Sequence, residues 1–192
     1  RYPMPEDAFL IPDFADASRT ALIQGALLGY KHFVYADDSR HKEAIHWNLF
    51  RQGYDEAVEK FGFDSLGMLD LAPDAERSDT AAPGYEHLNA ALRKLPAQTL
   101  ILTPLYGKLD LILAQAGRAG RSVPDDIGLL SLNESRTPGA VSCMHFDMDA
   151  LVGQALDYLA DDRISPVEPF QKLFSAKFVS SESTVQDRGE DA

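Results

Sequence analysis

Apolar residues in this chain gather into short unbroken runs separated by longer segments of helical spacing. Thr99-Leu100-Ile101-Leu102-Thr103 and Asp126-Ile127-Gly128-Leu129-Leu130-Ser131-Leu132 are such runs, and each predicts a strand buried on both faces of a parallel sheet. Between them Leu109, Ile112, Leu113 and Ala116 recur at i, i+3, i+4 and i+7. That spacing predicts a helix with one apolar stripe against the sheet and Lys108, Asp110 and Gln115 turned to water. Gly117 and Gly120 supply stops, and Val123-Pro124-Asp125-Asp126 turns the chain into the next strand. Parallel strands require a crossover of this kind, and ligands of open α/β sheets bind beyond the carboxyl ends of the strands. In this unit those ends are 103–106 and 133–136.

The same alternation runs along most of the chain. A strand is predicted over 8–11, then a helix capped by Asp13 or Asp16 that carries Ala21, Leu22, Gly25 and Leu28 and stops at Gly29. A strand over 31–36 follows, then the polar Asp37-Asp38-Ser39-Arg40. A helix from Ala44 to Phe61 places Trp47, Phe50, Tyr54, Ala57, Val58 and Phe61 on one face. A strand over 66–71, a polar loop over 72–83 and a helix over 85–95 lead back to Thr99. Past Glu134 the pattern changes to a short strand over 141–145, a helix through Leu151, Val152, Ala155, Leu156 and Leu159, and an extended stretch over 170–179. The polar end, 180–192, is expected to fray.

With 192 residues, 45% of them apolar, the chain can bury a substantial core. Eighteen basic against 30 acidic residues give a net charge of −12, which repels phosphate backbones and anionic membrane surfaces and argues against direct DNA binding by this segment. A single cysteine, Cys143, excludes an internal disulfide and a cysteine-based zinc site, and its apolar neighbours predict a buried thiol. No apolar run approaches the roughly 20 residues needed to cross a bilayer, and no signal peptide is visible, so a cytoplasmic protein is the expectation. The chain opens on Arg1 and runs straight into an internal-looking strand, as a piece of a longer protein would.

Three segments, taken in order, resemble the lactose/galactose repressor (LacI/GalR) family of transcription regulators. They are Gly29-Tyr30-Lys31-His32 before a strand, Arg51-Gln52-Gly53-Tyr54-Asp55-Glu56-Ala57 in place of the family's Arg-x-x-Gly-Phe helix, and Gly120-Arg121-Ser122-Val123-Pro124-Asp125-Asp126-Ile127-Gly128-Leu129-Leu130 in place of its Gly-x-x-Val-Pro-x-Asp run. The ending Phe178-Val179-Ser180-Ser181-Glu182-Ser183-Thr184 is similar to the family's Leu-Val-x-Arg-x-Ser-Thr. The resemblance implies an α/β, two-lobed fold of the type I periplasmic-binding-protein kind, with parallel sheets flanked by helices and the N-terminal lobe incomplete. It implies a remnant of that lobe in 1–36 and 147–162, a C-terminal lobe in 40–144 and 165–185, a tail over 186–192, and crossings near 37–43, 145–147 and 162–166. The function implied is ligand sensing and dimerisation in a bacterial regulator. Its effector would be a sugar or nucleoside-like molecule, and it would reach operator DNA through a helix-turn-helix domain outside this chain. A solute-binding protein of a sugar transporter is the alternative with the same architecture, and it would need an export leader upstream.

The resemblance also indicates effector-binding positions, and this chain departs from the family there. Phe50 stands in the place of the family's arginine, with Arg51 one residue on and about 100° around the helix. Leu105 and Tyr106 stand where Asn-Asp is usual, and Asn133-Glu134 where Asp-Asp or Asp-Asn is. Asn133 keeps the chemical kind of its counterpart, and Asp147 lies near a further polar contact position. The candidate effector-binding set is therefore Asn133, Arg51, Phe50, Tyr106 and Asp147. Phe50, Trp47, Leu105 and Tyr106 suit either a flat apolar pocket that stacks on a ring or plain core packing. The enzyme reading has little support. His41 and His46 are five apart, the wrong spacing for two ligands on one helical face, and no Gly-x-Ser-x-Gly elbow or phosphate-cradling glycine loop is present. His145-Phe146-Asp147-Met148-Asp149 reads as a strand end followed by a helix cap and an acidic first turn. No catalytic residue, metal or cofactor is expected.

Overall fold

The computed structural model describes residues 8–39, 45–74, 84–133, 141–160 and 170–184. The two unbroken apolar runs become β4 (Thr99–Thr103) and β5 (Ile127–Ser131), and every residue of both is buried. They are buried because helices cover both faces. Leu100 and Leu102 point to the face holding α1 (Phe14–Leu27) and α2 (Ile45–Phe61), where they meet Leu22, Tyr54 and Phe50. Ile101, one step out of phase, packs with Leu88, Leu92 and Ile112 beneath α3 (Glu86–Lys94) and α4 (Leu109–Arg118).

The remaining strands of this sheet are β2 (His32–Asp37), β3 (Asp64–Asp70), β6 (Ser142–His145) and β8 (Lys177–Val179). The order is β3-β2-β4-β5-β6-β8, with β8 antiparallel to β6 and every other pairing parallel. Asp13 caps α1, its carboxylate accepting the Asp16 N–H at 2.8 Å. The helix ends at Gly29, whose φ of 89° lets the Tyr30 N–H reach back to the Gly25 carbonyl at 3.1 Å. Ala17, Ser18, Ala21 and Gly25 are its buried small residues, and a Cβ on Gly25 would meet Leu100 at 2.4 Å.

A second, two-stranded parallel sheet pairs β1 (Phe9–Pro12) with β7 (Gln171–Phe174). Against it lies α5 (Met148–Ala160), through Tyr158 stacked on Phe170 at 4.5 Å and the Lys172 ammonium donating to Gln154 at 2.7 Å. The chain passes between the two sheets at Asp13, at Phe146-Asp147 and at Ser175-Ala176. These passages are neighbours: the Asp13 N–H donates to the Phe174 carbonyl at 2.9 Å, and the Phe14 and Phe146 rings meet edge to face at 5.7 Å.

This arrangement corrects the lobe boundaries expected from sequence. β2 and α1, assigned to the first lobe, belong to the six-stranded body, and β7, assigned to the second, pairs with β1. The first crossing is therefore at Asp13, not within 37–43. Residues 40–43 and 161–169 lie outside the described residues, as do His41 and the tail from 185 onward. Within the expected frayed end the described residues 180–184 are corrected, because Ser183 and Thr184 are buried. Ser183 Oγ accepts the Ser142 N–H at 2.7 Å and donates to the Leu129 carbonyl at 2.6 Å, while the Tyr30 hydroxyl donates to the Thr184 carbonyl at 3.1 Å. Cys143 is a buried free thiol.

Candidate ligand cleft

The direction of the strands decides which end of the six-stranded sheet faces the β1–β7 unit. α1 starts at the first crossing and feeds the amino end of β2, and β6 leaves the sheet at its carboxyl end, through Phe146, to enter α5. The carboxyl ends of the five parallel strands therefore lie at the crossing side, where ligands of such sheets bind.

Those ends carry Asp37-Asp38 at β2, Asp70-Leu71 at β3, Thr103 to Lys108 at β4, Ser131 to Asn133 at β5 and His145 to Asp147 at β6, the first residue of each group being the last of its strand. Several of these groups fix the loops. The Leu71 N–H donates to the Asp37 carbonyl at 2.7 Å, and one Asp70 oxygen accepts from the amides of Ser39 at 3.1 Å and Ala72 at 2.9 Å. Partial burial raises the Asp70 carboxyl, but these amide donors outweigh it and hold the group below the ordinary aspartate range. His87 Nδ1 pairs with Asp74 at 2.5 Å while its Nε2 meets the Asp70 carbonyl at 3.1 Å, so the start of α3 is tied to the end of β3.

At the middle of the row stands an ion pair. The Asp38 side chain is fully buried, and its carboxylate lies 3.7 Å from the Lys108 ammonium. Lys108 ends the 3-10 turn Tyr106–Lys108 that follows β4, a turn held by the Leu105 N–H on Thr103 Oγ1 at 3.1 Å and the Lys108 N–H on the Leu105 carbonyl at 2.9 Å. Its ammonium also lies 5.9 Å from the centre of the Tyr85 ring. The sequence reading turned Lys108 to water, yet its side chain is only 22% exposed.

The candidate residues separate into those at this end and those away from it. Asn133 is half-buried at the end of β5, where its carbonyl accepts from Ser131 Oγ at 2.6 Å and its N–H donates back at 3.3 Å. Tyr106 is half-buried in the turn after β4. Asp147 caps α5, accepting the Ala150 N–H at 2.9 Å. Arg51 lies on the flank made by α2 and β3. It is paired through Nε with both oxygens of Asp55 at 3.0 and 2.9 Å, reaches the Met68 sulfur at 3.5 Å, and sits over the Tyr35 ring at 5.5 Å. Phe50 is corrected: it has no exposed surface and packs against Phe14 at 4.9 Å, inside the core. Trp47, one turn earlier, is half-buried and packs against the cores on both faces of the sheet.

Sequence reasoning missed Asp38, Lys108 and Tyr85. Their signal was a pair of aspartates at a predicted strand's carboxyl end, which is where the sheet rule places a ligand. Among the described residues no group of three or more His, Cys, Asp or Glu is arranged to hold a metal ion.

No family model matches the chain, and no curated protein matches it in sequence. Solved structures match in fold. A protein described as the probable maltose operon transcriptional repressor of Staphylococcus aureus aligns over 96% of this chain and 65% of its own, with 15% identity and a TM-score of 0.66. The lac repressor dimer bound to operator aligns over 92% of this chain and 52% of its own, with 13% identity and a TM-score of 0.71. The chain has the LacI-type effector-domain fold. A LacI family regulator from Enterococcus faecium with bound ribose is a third match, over 95% of this chain and 67% of its own, at 14% identity and a TM-score of 0.66. The chain spans about half to two thirds of the length of these structures. The LacI-type fold places the carboxyl-end row described above in the setting of a two-lobed protein. No described helix is long and apolar enough to cross a membrane.

Proposed function

We propose that this chain is the ligand-sensing and dimerising part of a transcription regulator, acting in the cytoplasm, with DNA contacted by a separate helix-turn-helix domain. The observation that carries the reading is the clustering of three chain passages beside the carboxyl ends of five parallel strands. A ligand bridging that junction changes the balance between two arrangements of the bodies on either side by its differential affinity for them. The acidic balance of the chain agrees with a division of labour in which the basic, DNA-reading module is elsewhere.

The small unit of β1, β7 and α5 supports a larger first lobe. An isolated two-stranded sheet is marginal in water, and α5 leaves Met148, Val152, Leu156 and Leu159 exposed along one stripe. In the proposed protein further strands and a second subunit cover these surfaces. The effector contacts are drawn from Asn133, Tyr106 and Asp147, with Arg51 reaching the cleft only if it leaves Asp55.

The test has two parts. The coding sequence before Arg1 is read, where a helix-turn-helix agrees with the proposal and a charged, then apolar export leader contradicts it. The whole protein is then screened by thermal shift against sugars and nucleosides, since a ligand at 100 times its dissociation constant adds about 2.7 kcal/mol. A protein that no compound stabilises, and that sediments as a monomer, contradicts the sensing proposal.

A further inference from the structure

α3 and α4 pack side by side on one face of the six-stranded sheet, and a groove of about 490 Å³ opens between them. It is lined at its base by Gln115, which the sequence pattern turned to water and which is only 5% exposed. The Gln115 backbone carbonyl accepts from Asn89 Nδ2 at 3.3 Å, but its side-chain amide bonds to none of the described residues. That amide keeps one oxygen acceptor and two N–H donors for an occupant of the groove. A leucine here would fill a similar volume without burying a polar group, so the glutamine runs against stability and marks a place shaped for function.

Arg93 and Arg118 stand on the exposed rim. Neither guanidinium is paired with a carboxylate among the described residues, although the chain carries a net charge of −12. Arg93 Nη2 donates to the Arg118 carbonyl at 3.5 Å, and Arg121 Nη2 donates to the carbonyls of Leu95 and Arg93. These bonds cover carbonyls at the ends of α3 and α4, which would otherwise repel an anion. The Arg118 side chain is not used in them, so its planar fork is open to a carboxylate. Glu86, at the start of α3, also lines the groove. Two guanidiniums against one carboxylate leave a single surplus positive charge, which suits a monoanion and opposes a phosphate dianion.

We propose that the α3–α4 groove is a binding site for a small monocarboxylate that carries a hydroxyl or amide beside its carboxylate. The carboxylate meets Arg118 and Arg93, and the neighbouring polar group meets the Gln115 amide. This site lies between two helices, apart from the row of strand ends, and does not depend on the sensing function above.

The test uses the isotopically labelled whole protein, titrated with L-lactate, D-gluconate and N-acetylglycine up to about 10 mM, a range that reaches millimolar affinities. Acetate and inorganic phosphate are the controls. At least one of the three hydroxylated or amidated carboxylates moves the Gln115 side-chain NH2 resonance, and binds about tenfold more tightly than acetate or phosphate. Arg118→Gln, a change on the exposed rim, weakens that compound about tenfold. Gln115→Met, which keeps the volume, brings its affinity down to that of acetate. Should the methionine disturb α4, Arg118→Gln alone decides. Phosphate binding as tight as that of the best carboxylate, unchanged affinity in Arg118→Gln, or no movement of the Gln115 resonance with any of the three overturns the proposal. So does a dimer that Arg118→Glu dissociates in sedimentation, because a second copy then occupies the groove.

Discussion

Gly53 is where α2 crosses α1 most closely, and replacing it tests whether α1 belongs to the six-stranded body. A Cβ built on Gly53 lies 2.1 Å from the Ala15 carbonyl oxygen and 2.7 Å from the Ala15 Cα and carbonyl carbon. Carbon and oxygen atoms in contact sit about 3.3 Å apart or more, so Gly53→Ala must separate the helices by roughly 1 Å. The obstructing atoms are backbone and cannot rotate away, which places the cost near the top of the roughly 1–3 kcal/mol range for overpacking. Alanine returns about 1 kcal/mol through its helix propensity, leaving a net loss of about 2 kcal/mol. For a chain of this size that lowers the melting temperature by roughly 4–8 °C. The assay is thermal unfolding followed by circular dichroism, with Gly117→Ala as the control, because a Cβ there meets nothing within 4 Å. The control should melt at the same temperature or up to about 4 °C higher. A Gly53→Ala protein as stable as the parent would refute the close α1–α2 crossing and, with it, the placing of the lobe boundary at Asp13.

Phe50→Ala should cost about 3–5 kcal/mol in urea unfolding as a core truncation, and Phe50→Arg, which writes the family's residue into this position, should fail to fold stably because it buries a charge. A well-folded Phe50→Arg protein would show that the position opens to the cleft. Ser183→Ala removes one hydroxyl that serves two buried backbone groups, the Ser142 N–H and the Leu129 carbonyl, and should cost about 2 kcal/mol or more, with faster amide exchange at Ser142. Exchange at Ser142 that does not change would place the hydroxyl network elsewhere. Burial pushes the Tyr54 phenol from 10.0 up to about 12, against the opposing hydrogen bond with Ser65. A phenol pKa raised by folding contributes stability fully present below pH 10 and lost as the pH rises through 12, so unfolding free energy should fall across that window and fall less steeply in Tyr54→Phe. Equal slopes in the two proteins would contradict the assignment.

The elements were legible where local physics decides them. β4 and β5 read as unbroken apolar runs because both faces of a central parallel strand are covered, and α1 and α4 could be ended correctly because Gly29 and Gly120 take positive φ where a side chain is strained. Lobe membership was not legible in the same way. Each crossing is only one or two residues long, and the apolar pattern of β2 says that it is buried without saying in which sheet. Ser183 and Thr184 read as a polar end because a hydroxyl's partners do not show in its neighbours. Ser183 bonds across 41 and 54 residues of chain. The Asp38–Lys108 pair was hidden for the same reason, its members lying on loops after different strands. Phe50 and Arg51 show the limit of transferring a position by resemblance. A one-residue step around a helix separates core from surface, and here the arginine went to Asp55.

Amide chemical shifts test the central claim most directly, namely that the carboxyl ends of the parallel strands form the ligand site. The isotopically labelled whole protein is titrated with whichever compound stabilises it in the thermal-shift screen, and its amide resonances are followed. The largest shifts should fall at Asp38, Leu105 to Lys108, Leu132-Asn133 and Asp147, at the ends nearest the crossings. Shifts concentrated instead at Gln98 and Arg121 to Ile127, where β4 and β5 begin, would put the ligand at the opposite end of the sheet and contradict the account.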